Sequence, residues 1–235
     1  MTVRSLPASA TLVAAVVASL LTVLAVLTGR GHAAGLTASE VAGALQHQYD
    51  GVKDFSSDFV QSYQSGALKK QMTPERGHLL IKKPGRMRWE YTSPEHKVFV
   101  SDGVKMYSYI EADKQVFINA VPPDDEAATP SLFLAGKGNL TRDFAVSLVE
   151  PFPGMPAGTV ALKLVPKKPQ PDYDWLVLEV EAGTYHLRGL VTPDSQGGIS
   201  TFTFPNLKEN VGLADKEFEF KPPRGVDVVT DSSRR

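Results

Sequence analysis

The chain has 235 residues, with 25 Lys and Arg against 26 Asp and Glu, a formal net charge of −1 and no cysteine. Charge this balanced argues against a surface for nucleic acid or anionic lipid. The missing cysteine excludes disulfides and a lipid-modified N-terminal Cys of the chain's own.

Residues 1–35 read as a secretory signal peptide and residues 36–235 as a single domain. Arg4 gives a basic start, Ala10 to Thr28 is apolar apart from Thr11, Ser19, Thr22 and Thr28, and Gly31-His32-Ala33-Ala34-Gly35 offers small residues for cleavage after Ala34 or Gly35. The same apolar run suits an uncleaved N-terminal anchor, so both fates stay open. Cleavage removes Arg4 and Arg30 and takes the formal charge from −1 to −3. The roughly 200 residues that remain are enough for one sizeable core.

Thr37 with Glu40 three residues on forms a capping box, and Val41, Leu45, Gln48 or Tyr49, and Val52 follow at helical spacing, predicting a helix from 37 to about 51. At Phe55 the period changes to two, with Phe55, Phe59 and Tyr63 on one face and Asp58 and Ser62 on the other. Strands are then predicted around 77–83, 86–92, 96–101, 104–110, 114–120, 144–150, 159–165, 174–181, 184–192, 198–204 and 215–220. Ser101-Asp102-Gly103, Ala182-Gly183 and the stretch from Pro193 to Gly198 supply turns. This spacing describes a large antiparallel meander, which must curl on itself or be covered.

The segment Lys82-Lys83-Pro84-Gly85-Arg86-Met87-Arg88-Trp89-Glu90-Tyr91 is the densest in information. After the Pro-Gly turn, Met87, Trp89 and Tyr91 take one face of a strand and Arg86, Arg88 and Glu90 the other. The interruption from Pro122 to Arg142 holds a short helix: Thr129-Pro130 starts it, Leu132, Phe133 and Leu134 make it apolar, and Gly136-Lys137-Gly138 ends it. Such a helix suits a lid, and equally a plug at one end of a barrel.

Evidence of catalysis is missing. His47, His78, His96 and His186 lie singly, and no Gly-x-Ser-x-Gly elbow, phosphate loop or dinucleotide fingerprint occurs, so no catalytic residue, metal or cofactor is expected. Asp124-Asp125-Glu126 sits in a Pro-rich connection and reads as a solvated loop. The surplus is of large apolar side chains on strands: Met87, Trp89, Tyr91, Phe99, Met106, Tyr107, Tyr109, Phe117, Trp175, Phe202 and Phe204. In an ordinary β protein these are core; in a partly open barrel some become the wall of a lipid cavity.

The Lys82–Tyr91 segment, then Pro94, Ser101-Asp102-Gly103, Gln115-Val116, Thr129-Pro130, Leu164-Val165-Pro166-Lys167 and the ending Phe218-Glu219-Phe220-Lys221-Pro222-Pro223-Arg224-Gly225-Val226-Asp227-Val228, in that order, resemble the periplasmic outer-membrane lipoprotein carrier family, LolA. The resemblance implies a mainly β (α+β) fold, an unclosed antiparallel β-barrel with a helical lid over an apolar cavity. It implies a monomeric periplasmic carrier without catalysis, which takes acylated lipoproteins from an inner-membrane lipoprotein-releasing ABC transporter to an outer-membrane lipoprotein receptor. Met87, Trp89, Tyr91, Phe99, Tyr107, Tyr109 and Phe117 are the expected cavity wall. Leu132, Phe133 and Leu134, with the helix at 37–51, are the expected cover.

Lys83 is the expected latch, at a position where family members commonly carry Arg. Lysine offers a point charge in place of a planar fork. Met87 stands where Phe is usual, and keeps the apolarity while adding flexibility. Three acyl chains of roughly fifteen carbons represent on the order of 35 kcal/mol of transfer energy at ~0.8 kcal/mol per methylene. That exceeds the roughly 20 kcal/mol ceiling of non-covalent affinity, so extraction needs work that a chain without a nucleotide motif must take from a partner. The alternative is a lipid or lipoprotein sensor of similar fold that regulates a membrane partner.

Overall fold

The computed structural model describes residues 36–122, 130–170 and 173–230; the expected signal segment, Thr129 and the Asp124-Asp125-Glu126 loop lie outside them. Helix α1 (Ala38–Asp50) begins at its capping box. The Thr37 hydroxyl accepts from the Glu40 amide at 3.3 Å and the Glu40 carboxylate accepts from the Thr37 amide at 2.7 Å, so two of the donors that a helix start leaves unpaired are matched. Its buried side is Val41, Ala42 and Leu45.

Six strands follow in meander order: β1 (Asp54–Gln64), β2 (Glu75–Lys82), β3 (Arg86–Ser93), β4 (Lys97–Asp102), β5 (Lys105–Ile110) and β6 (Gln115–Ala120). Two short helices, α2 (Pro130–Leu134) and α3 (Leu140–Asp143), separate them from a second meander, β7 (Phe144–Val149), β8 (Thr159–Pro166), β9 (Leu176–Glu181), β10 (Leu187–Pro193) and β11 (Ile199–Thr203). Antiparallel pairing of β11 with β1, Val60 opposite Thr203, joins the meanders into one sheet. β12 (Lys208–Glu209) pairs with the start of β1, and β13 (Asp227–Thr230) runs parallel to β6. The order β13-β6-β5-β4-β3-β2-β1-β11-β10-β9-β8-β7 ends at two strands not paired with each other, so the barrel is unclosed.

Directly opposed residues share a face, and the register carries one apolar face across the sheet. Phe55, Ile81 and Met87 are successive partners, as are Leu79, Trp89 and Phe99, and on the other meander Phe202, Leu190, Leu178 and Leu162. All but Phe99 and Phe202 are buried, and these two pack against the same cluster. Gly77, at a bulge against β3, leaves room for the Phe59 ring: a Cβ there would stand 2.7 Å from the ring edge.

The outer face carries Arg86, Arg88 and Glu90, with two apolar patches that loops cover. Phe220 and Val226 pack on Val98, Val100, Tyr109 and Val116, while Phe152 and Met155 pack on Ala161, Val177 and Val191. Beneath the second cover Glu179 is wholly buried; one carboxyl oxygen accepts from the Phe152 amide at 2.9 Å and the other has no partner among the described residues. Burial raises its pKa above the usual carboxylate value, against the lowering effect of the Phe152 amide.

The expected strand at 215–220 is not one. Residues Asp215–Phe218 form a 3-10 turn whose Phe218 is buried, and Lys82 ties the segment down by donating to the Leu213 carbonyl at 2.7 Å and to Asp215 at 2.6 Å. Phe218 and Phe220 alternate like strand residues but serve as anchors of a strap across the outer face. The ladder beside β6 is taken by β13, which the period-two reading did not pick out.

Candidate functional site

Both long-range ends of the sheet bring apolar side chains to one interior, and the helices lie on it. Leu132, Phe133 and Leu134 of α2 are buried there; Phe133 stacks on Tyr49 of α1 at 6.4 Å and meets Phe144 of β7 edge-on at 5.5 Å. The backbone after α2 is fastened to the β2–β3 turn, where the Gly85 amide donates to the Ala135 carbonyl at 2.8 Å, and the Gly85 carbonyl accepts from the Ser101 hydroxyl at 2.6 Å.

Lys83 passes across this junction. Its stem lies against Gly136, which has φ +83° and where any Cβ would come within 2.8 Å of Lys83 Cγ, so the close approach requires glycine. Lys83 Nζ donates to the Tyr49 carbonyl in the last turn of α1 and stands 3.2 Å from the centroid of the Tyr49 ring. A cation suits that helix end, where the macrodipole is negative, and the ring face adds a cation–π contact. Tyr49 in turn donates its hydroxyl to the Leu134 carbonyl at the end of α2. Lys83, Tyr49 and Leu134 thus link the sheet, α1 and α2. Burial pulls the Lys83 pKa down from 10.5 to about 8, against the opposing pull of Asp50 and Glu209. Tyr49 was not among the expected site residues, although helical spacing had left its position open against Gln48.

Under α1 and α2 the interior is filled, with only about 20 Å³ left between Leu45, Tyr49, Phe133, Leu134 and Leu178. Beside it the apolar face opens into a cleft of about 230 Å³, lined by Met87, Trp89, Tyr91, Phe99, Met106 and Phe202, with Ser131 of α2 at its margin. Five of the seven residues expected in the wall, Tyr107 included, therefore stand together. Phe117, opposite Ser108, lies on the same inner face but at the rim, 40% exposed.

Tyr109 is corrected to the other face; Tyr107, though its ring shares that face of the strand, stands at the edge of the cleft. In β5 the inward positions are Met106 and Ser108, and the tyrosine rings pack on Phe220 of the strap at 5.6 and 6.1 Å. Tyr107 lines the cleft as expected, and its hydroxyl donates to Asp102 at 3.2 Å. The inner wall also gains Met106 and Phe202. Polar groups on that wall are few; the Tyr91 hydroxyl donates to Gln61 at 2.7 Å, and burial raises its pKa further.

An unclosed β-barrel with an apolar interior, a cleft at one side and helices fastened over the other defines the class of protein: a β half-barrel with a helical cover. The family model for the outer membrane lipoprotein carrier protein LolA matches residues 50–221, and the chain belongs to that family. It is 32% identical to the outer-membrane lipoprotein carrier protein of Chromohalobacter salexigens, over 77% of this chain and 83% of that one. With the carrier protein of Chromobacterium violaceum the identity is 30%, over 87% and 96% of the two chains.

Proposed function

We propose that the protein carries acylated lipoproteins through the periplasm, loaded by an ATP-driven inner-membrane release complex and unloaded at an outer-membrane receptor. Export by a cleaved signal peptide within residues 1–35, action as a monomer and absence of a catalytic step complete the reading. The observation that carries it is the continuous apolar inner face, part of it an open cleft and the rest lying under helices that could lift. Membership in the carrier family supports the cargo class.

Magnitudes say how such a device behaves. At about 230 Å³ the cleft falls short of the roughly 300–1,000 Å³ that drug-sized ligands occupy, so acyl chains need the space now held by the cover. Lifting Leu132, Phe133 and Leu134 into water costs about 5–9 kcal/mol at ~1.5–3 kcal/mol per side chain. A chain already buried in a bilayer gains nothing by moving to another apolar site, so that cost falls on the loading partner. Reclosure of the cover then favours release.

Mass spectrometry of material that co-purifies with the periplasmic protein tests the reading: triacylated lipoprotein is expected, and a free glycolipid in its place would redirect it. Met87→Glu puts a carboxylate on the apolar wall and is expected to abolish cargo crosslinking, whereas Met87→Leu should load normally. Normal crosslinking in a folded Met87→Glu protein would remove Met87 from the wall of the cargo site.

A further inference from the structure

Trp89 sits at the centre of the inner face, 4% exposed, and lines the cleft. Its ring is enclosed by Phe59, Phe202 and Phe204 at 5.2, 5.4 and 6.2 Å, and its strand partners are Leu79 and Phe99. The indole N–H is buried with no hydrogen-bond partner among the described residues. Native proteins leave few donors in this state, because an unmatched buried donor loses its water and gains nothing in return. The hydroxyl of Tyr91, two residues along the same face, is matched to Gln61, so the orphan belongs to Trp89 and not to the whole wall. Aromatic faces accept an N–H only weakly.

Resting on the carrier reading above, we infer that the Trp89 indole N–H donates to a carbonyl oxygen at the head of an inserted acyl chain, so that the cleft discriminates acyl esters and amides from bare hydrocarbon. A hydrocarbon tail has no acceptor, whereas every acyl linkage carries one beside its first methylene. An unmatched donor in a wall with few polar groups fixes how far the chain slides in, as sparse polar groups do in apolar pockets generally. Trp89 is in this sense a specificity-determining residue, reading the linkage while the surrounding rings hold the tail.

The test compares the mature wild-type chain with Trp89→Phe and with a chain bearing 3-benzothienylalanine at position 89, in which sulfur replaces the N–H at nearly constant shape. Three probes are titrated: diphenylhexatriene, which has no acceptor; dipalmitoylglycerol, with ester carbonyls; and a triacylated cysteine lipopeptide, with both esters and an amide. Both variants are expected to bind the two carbonyl-bearing probes about 3- to 10-fold more weakly, the span of one ordinary hydrogen bond, and diphenylhexatriene unchanged. Weakening for the lipopeptide alone assigns the amide carbonyl as the acceptor. Equal weakening for all three probes, or none for any, overturns the inference while the carrier reading stands. Failure of the wild-type chain to bind the lipopeptide removes both.

Discussion

Lys83 keeps a charge where burial disfavours it, and the sign of the consequence can be worked out. Its pKa is about 8 in this structure; in the proposed carrier, where opening the cover would return the amine to water and its pKa toward 10.5, closing releases a proton between those values. Raising the pH from 8 to 10.5 therefore favours the shut state, and lowering it toward 8 removes that preference. Access of diphenylhexatriene to the interior is expected to fall as pH rises from 7.5 to 9.5 in the wild type. In Lys83→Leu this dependence should vanish while the fold stays intact, with a stability change of about 1 kcal/mol or less by urea unfolding. A flat wild-type profile would show that Lys83 does not couple to the cover. The position of Lys83 next to the Pro-Gly turn was legible in the sequence. Its acceptor was not, because the partner carbonyl lies at Tyr49, 34 residues away, and only the packing of α1 on the sheet brings them together.

At the scale of elements, period two located nearly every strand, since one face is buried throughout and a one-residue slip would expose it. It also held the information that separates Met106 and Ser108 from Tyr107 and Tyr109. Choosing Tyr109 for the inner wall weighted aromatic size over alternation, and alternation wins wherever both faces of a strand are covered. What the sequence could not disclose is that β5 has a covered outer face, because Phe220 and Val226 come from far along the chain. The same strap explains the misread at 215–220, where two anchors spaced by two residues imitate a strand. Phe218→Ala is expected to cost about 3–5 kcal/mol, read as a lowered urea midpoint, because the side chain is fully buried and its cavity cannot collapse freely. Hydrocarbon binding by the folded fraction should be unchanged, since the strap lies on the opposite face; loss of binding in folded protein would show that the strap shapes the interior.

On the scale of the molecule, the proposed function sets the helices and the cargo in competition for one apolar face. The short α2 has five residues, too few to be stable alone, and holds its place by Leu132, Phe133, Leu134 and the bonds from Gly85 and Tyr49. Loading with a triacylated lipopeptide should free its amides, seen as about tenfold faster hydrogen exchange across 130–137 with little change in β1 to β4. Unchanged exchange there would mean that chains enter by the gap between β13 and β7 and leave the helices seated. The apolar helix ahead of Gly136-Lys137-Gly138 was legible in the sequence, as a lid or equally as a plug. Which part of the face stays open was not, as it depends on how α1 and α2 share the interior.

The parallel pairing of β13 with β6 bears on how the chain survives its own synthesis. A polypeptide emerges from its N-terminus, so the outer edge of β6, with Val116, Phe117 and Ile118 in succession, stands unpaired until residues 227–230 have followed. An open edge of that composition is a template for another chain's strand, and the interval is a window for aggregation. The C-terminal strap closes the window by occupying the edge, and Asp227 places a charge at the start of the new border strand.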